Sequence, residues 1–188
     1  MHVLRVVRVL LLVLIVAAVV GAGSSVLSAR PDLQKAKRNV DASWSSLGTQ
    51  LDHRYVVLLA NVDAKLGPIP GPIHTLVGDT DAAIAHWKDE RAHGGVAAQV
   101  GAANDLEALA RRLVATANQS PRVKAANAAV LPALALFLDD QSRGPAATTF
   151  NQNVVSYEHE RRGPVRAIVA SILRDGAIPA LDTTPITT

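Results

Sequence analysis

Three side chains in the middle of the chain, His86, Glu90 and His93, have the types and spacing to hold a metal ion. At i, i+4 and i+7 they share one helix face, and imidazole nitrogens with a carboxylate form an ordinary zinc ligand set. The H-E-x-x-H arrangement is absent, Lys88 and Arg91 flank the trio, and Gly94-Gly95 follows at once. A metal site on an exposed turn also needs surrounding groups that orient its ligands. The trio therefore reads as a solvated helix end, and neither a metal nor another cofactor is expected. Paired carboxylates are no better placed for acid–base work. Asp139 and Asp140 are adjacent and point apart on a helix, while Glu158 and Glu160 lie beside Arg161 and Arg162. No G-x-S-x-G nucleophile motif occurs. The absence of cysteine excludes thiolate nucleophiles, disulfides, zinc–thiolate sites and iron–sulfur clusters together. The expectation is a protein that is not an enzyme.

A second polar set carries more weight. Asp52, Arg54 and Asn61 fall in one helical stretch, and Asn151 and Tyr157 in another near the end of the chain. If those helices run antiparallel, the five side chains meet between them, as an interhelical polar network or as the floor of a partner groove. The network is the simpler reading, because polar groups in a core must be hydrogen-bonded whether or not a ligand exists.

The elements that position these residues are helical. Hydrophobic residues make up 49% of the chain and aromatics only 3%, which predicts a core of Ala, Val and Leu and an all-α fold. From Asp32 to Leu66 there is no proline, and Val40, Trp44, Leu47, Leu51, Leu58, Val62 and Leu66 step by four, three, four, seven, four and four. Arg54 or Tyr55 fills the gap in this seam. As one helix it extends roughly 50 Å at 1.5 Å per residue, so it needs partners of similar length. Gly67 to Pro72 ends it, and a second helix is expected to start near Asp79 or Thr80 and run to about Ala92. Further helices are expected over Val96 to Asn118, Pro121 to Gln141 with a kink at Pro132, and Ala146 to Arg161. The result is an antiparallel bundle over residues 30–162, followed by an irregular or short-helical tail over 163–188 that is rich in Pro and Thr.

The formal charge is +3 and the isoelectric point about 9.6, yet the basic residues are dispersed among acids with almost no aromatics between them. That is not the footprint of a nucleic-acid binder. At the N-terminus, Val9 to Ala29 carries no charge and is long enough to cross a hydrocarbon core of ~30 Å. Gly21-Ala22-Gly23 imitates a dinucleotide fingerprint, but its third glycine is missing and the apolar run is too long for a strand. The segment 1–29 reads either as one transmembrane anchor or as a signal peptide with a small-residue exit at Gly21 to Ser25. Arg5 and Arg8, tight against the span, favour a cytoplasmic N-terminus and an extracytoplasmic body.

Ordered motifs then add a resemblance. Asn39-Val40-Asp41-Ala42-Ser43-Trp44-Ser45, followed by Gln50-Leu51-Asp52-His53-Arg54-Tyr55 and Leu59-Ala60-Asn61-Val62, resembles the first helix of the LemA family. Ser120-Pro121-Arg122-Val123-Lys124-Ala125 is similar to its Y-P-x-L-K-A segment, and Phe150-Asn151 to Tyr157-Glu158 to its Y-N-x-x-V-x-x-Y-N. The sequence departs from the family at His53, Ala60 and Glu158, and Pro68 to Pro72 looks like an insertion. The resemblance covers most of 39–158. It implies a retained single-pass membrane anchor ahead of an antiparallel helical bundle, and no settled biochemical activity. The expected function is thus a non-catalytic interaction or scaffold module at the cell envelope, with an unidentified protein partner and compatible with oligomers. The alternative is an exported ligand-binding bundle released by cleavage.

Overall fold

The long apolar seam folds as expected, but with one change of pitch. In a computed structural model that describes residues 30–125, 127–139, 143–173 and 176–184, residues 30–52 are α-helical (α1). The helix passes without a break through a π-helical segment, His53–Leu59, into α2, Ala60–Leu66. The Ala60 N–H bonds to the Tyr55 carbonyl five residues back, which widens the turn. Leu51, Tyr55 and Leu59 therefore share the buried face, and Leu58, which a uniform α-helix would place there, is only partly buried. The same wide turn sends both Arg54 and Tyr55 inward.

Then follow α3, Pro72–His93, α4, Val96–Gln119, α5, Pro121–Ala125, α6, Asn127–Asp139, α7, Arg143–Arg161, and α8, Pro164–Ile172. Residues 176–184 continue without helix, and no strand occurs among the described residues. The chain is all-α, a helical bundle. The start of α3 corrects the expectation of Asp79 or Thr80. Pro72 occupies the first turn, where its missing N–H would have no intrahelical partner, and Gly71 turns into it at a φ of 113° that favours glycine. The proline run is both stop and start. The expected kink at Pro132 falls within α6, whose helical assignment continues past it.

Side-chain contacts give the directions. Asp52 meets Arg91, so α3 runs back along α1; Trp44 meets Gln99 and Arg54 meets Glu107, so α4 runs with α1. Asn39 bonds with Asn153 and Trp44 stacks on Phe150, so α7 again runs back. Ala102, Ala103, Ala110 and Ala117 give α4 a small-residue buried face. The few aromatics all lie in the core: Trp44, Trp87, Tyr55, Tyr157, Phe137 and Phe150 are buried. Trp87 stands edge-on to Trp44 and to Tyr55, with ring centres 6.3 and 5.2 Å apart, an arrangement worth about 0.5–1.5 kcal/mol per pair beyond area burial.

The expected anchor over 1–29, with Arg5 and Arg8, lies outside the described residues. Among the described residues no helix is long and apolar enough to cross a membrane.

Candidate functional site

The most deeply buried polar centre is an ion pair that links the π-helical segment to α4. Arg54 is 2% exposed and Glu107 0%. Arg54 Nε donates to Glu107 Oε1 at 2.8 Å and Nη2 to Oε2 at 3.4 Å, while Nη1 donates to the Phe137 carbonyl at 3.0 Å. The guanidinium also lies 4.1 Å over the Phe137 ring. The Tyr55 hydroxyl is 3.0 Å from Glu107 Oε1 and 3.3 Å from the Ala103 carbonyl, so its single proton can serve either. Removing two charges from water costs several kcal/mol each, and only a geometry with this many bonds offsets it. The arrangement fixes how α1, α4 and α6 sit against one another.

A second, half-exposed centre is built on Asp52, two residues before Arg54, and ties α1 to α3 and α4. Asp52 accepts from Trp87 Nε1 at 3.0 Å and from Arg91 Nη2 at 3.0 Å. Arg91 Nη1 and Trp44 Nε1 both donate to Gln99 Oε1, at 2.9 and 2.6 Å, and Gln99 Nε2 donates to the Gly94 carbonyl at 2.7 Å. Gly48 makes room: a Cβ there would lie 2.8 Å from the Arg91 guanidinium. One glutamine thus stabilises both the α3–α4 turn and the ion pair beneath it.

A third polar centre bonds something different. Residues 176–184 lie without helix over α4 and α7, with Ile178 and Leu181 buried in the core. Asn151 of α7 accepts from the Leu181 N–H at 2.8 Å and donates to the Leu181 carbonyl at 2.9 Å. On the opposite edge, Asn104 of α4 accepts from the Asp182 N–H at 2.7 Å and donates to the Ala180 carbonyl at 3.0 Å. In extended backbone the polar groups of successive residues point to opposite sides, and the two asparagines take the places that neighbouring strands would fill. Tyr157 donates to the Gly176 carbonyl, Glu158 accepts from the Ile178 N–H, and Arg111 pairs with Asp182. The hydroxyl and N–H of Thr184, then the Arg111 guanidinium, hold the Asp182 carboxyl below its usual pKa.

The five polar residues singled out in the sequence are therefore distributed over separate places. Asp52 and Arg54 belong to different centres, Asn61 is exposed, and Asn151 and Tyr157 hold the tail. His86 and His93 are exposed, and His93 Nδ1 lies 3.0 Å from Asp89 rather than near Glu90. Among the described residues no group of three or more His, Cys, Asp or Glu is gathered closely enough to hold a metal. Of the two carboxylate pairs, Asp140 lies outside the described residues, Glu158 is engaged by Arg161 and the tail, and Glu160 pairs with Arg166. Glu107, Gln99, Arg91 and Asn104 were missed. Glu107 had a signal: it interrupts a stripe of Ala103, Leu106, Ala110, Leu113 and Val114 at helical spacing.

One buried carboxyl has no such partners. Asp63 on α2 is 2% exposed, and neither side-chain oxygen is hydrogen-bonded among the described residues. Burial, and secondarily the Asp81 carboxylate, push its pKa up to about 8.

Compared with protein-family models, with curated proteins and with solved structures, the chain matches nothing.

Proposed function

We propose that the chain is a non-catalytic interaction protein of the cell envelope. Its N-terminal apolar segment is a retained single-pass anchor, and its antiparallel bundle is the binding body outside the cytoplasm. The observation that carries the non-catalytic half is how the interior charges are used. Arg54 bonds Glu107 and Phe137, and Asp52 bonds Trp87 and Arg91, so these groups hold helices rather than face a substrate cavity. An acid, base or nucleophile needs reach to a reacting atom, and these side chains are committed to one another. The uncharged run from Val9 to Ala29 and the placement of Arg5 and Arg8 support the anchored half. The resemblance to the LemA family points the same way. Holding a binding body at a membrane raises its effective concentration towards partners there.

The test is the intact mass of the mature protein together with its distribution between membrane and soluble fractions. The anchored reading expects the uncleaved 19.7 kDa chain in the membrane pellet. A soluble chain beginning between Gly23 and Arg30 contradicts it and favours an exported ligand-binding bundle.

A further inference from the structure

The contacts that hold residues 176–184 are of a kind that another chain can make. The two asparagines address only backbone: Asn151 takes the N–H and carbonyl of Leu181, and Asn104 takes the carbonyl of Ala180 and the N–H of Asp182. Every extended peptide presents those groups at that spacing. Main-chain bonds of this sort supply affinity, and the side-chain positions between them supply selectivity. Here the selective positions are Ile178 and Leu181, buried three residues apart, followed at once by an aspartate paired with Arg111. Pro179 stands between the two apolar anchors, donates no hydrogen bond and disfavours helix.

The docking surface is also larger than the segment on it. Along α7 it continues as an open cleft of about 550 Å³ lined by Thr148, Asn151, Gln152, Val155, Ser156 and Thr183. Val155, in that cleft, is 68% exposed although it is a large apolar side chain. Thr183 lines this cleft, so an extended segment of a partner that continues past the corresponding position has room along α7.

We infer that the face formed by α4 and α7 is a binding site for an extended peptide segment of a partner protein, with the pattern apolar, two residues, apolar, acidic. The chain's own residues 176–184 occupy it in cis and are displaced by that partner. This rests on the reading of the chain as an interaction protein and names the class of partner. The tail sets a threshold: tethered, it competes at an effective concentration on the order of millimolar, so a free segment must bind well or arrive at high local concentration.

The experiment uses the full chain and a fluorescein-labelled peptide of residues 176–184, with binding read by fluorescence anisotropy. Three receptors are compared: the unaltered chain, a chain carrying Ile178→Asp and Leu181→Asp, and a milder Asp182→Lys chain that disturbs only the partly exposed carboxylate contacts with Arg111 and Thr184. With its own tail weakened, the receptor binds the peptide at least ~10-fold more tightly than the unaltered chain does. Adding Asn104→Ala and Asn151→Ala to either weakened chain abolishes that binding. Absence of saturable binding to both weakened chains, with helical circular dichroism unchanged, overturns the inference. So does binding that is equal in all receptors and indifferent to the asparagines. Membrane retention is read separately: an anchored chain that binds no peptide sinks only this inference, and a cleaved soluble chain that binds it sinks only the anchor.

Discussion

The Arg54–Glu107 centre and the tail site use similar numbers of hydrogen bonds for opposite ends. In the first, side chains of the π-helical segment and α4 bond one another, with the Phe137 carbonyl of α6 as a further acceptor, and Glu107 has a use only where Arg54 and Tyr55 are presented together by the π-helical turn. In the second, side chains bond the backbone of residues 180–182, which any extended segment could supply. The first is specific to this fold and locked into its cooperative core. The second is generic chemistry placed at the surface, and it can exchange one occupant for another.

The largest effect expected from breaking this contrast is at the ion pair. Glu107→Ala leaves a buried guanidinium uncompensated and should lower the unfolding free energy of the whole chain by about 3–5 kcal/mol in urea titrations. Replacing both partners, Arg54→Met with Glu107→Leu, should recover most of that loss, since well-packed apolar substitutes for a buried pair are often neutral. A single substitution costing under ~1 kcal/mol would place the pair outside the cooperative core.

Leu181→Ala is next. Truncating a buried leucine typically costs about 2–5 kcal/mol, but here the loss should fall on tail docking. Limited proteolysis should cut near Ala177 to Thr184 in this variant while the urea midpoint of the bundle barely moves. If the midpoint drops with it, tail and core form one unit.

Asp63 sharpens the comparison as a buried carboxyl with neither arrangement. Its carboxyl binds a proton more tightly folded, at about 8, than unfolded, at 3.8. Stability contributed by that proton is complete below pH 3.8 and falls as the pH rises towards about 8. Asp63→Leu should raise stability at pH 8 by about 1–3 kcal/mol, because an unpaired buried polar group is removed. It should also flatten the profile between pH 5 and 8, and a profile that keeps its slope would assign that slope to other groups.

The smallest effect belongs to Asn151→Ala. Two neutral hydrogen bonds at about 0.5–1.5 kcal/mol each set its scale, again confined to the tail. The amide resonances of Leu181 and its neighbours should shift towards random-coil positions while those of α1 stay in place.

Much of the fold was legible, and the reasons for the exceptions are physical. Val40, Trp44, Leu47, Leu51, Val62 and Leu66 were read from their spacing and are buried. Between Leu51 and Val62 the spacing rule assumed α pitch, and the π-helical segment replaced Leu58 by Leu59, because a wider turn leaves no mark in residue type. Pro72 was read as part of a stop, although proline suits a first turn as well as it breaks an interior one. Asp52 and Arg54 stood out as polar residues on or near an apolar seam. Their partners Arg91 and Glu107 lie on other helices, and one sequence does not say which polar group meets which. The docked tail was the least legible part, since Asn104 and Asn151 bond backbone, and backbone groups are the same at every non-proline position.

The most direct measurement of the central contrast is native-state amide hydrogen exchange on the full chain, comparing Leu181 and Asp182 with the amides of α4 around Glu107. A fixed core with an exchangeable tail predicts that Leu181 and Asp182 exchange through a local opening several kcal/mol below the global unfolding free energy, while α4 exchanges only by global unfolding. Equal opening free energies at the two places would mean that the tail is an integral part of the core, and the contrast would not hold.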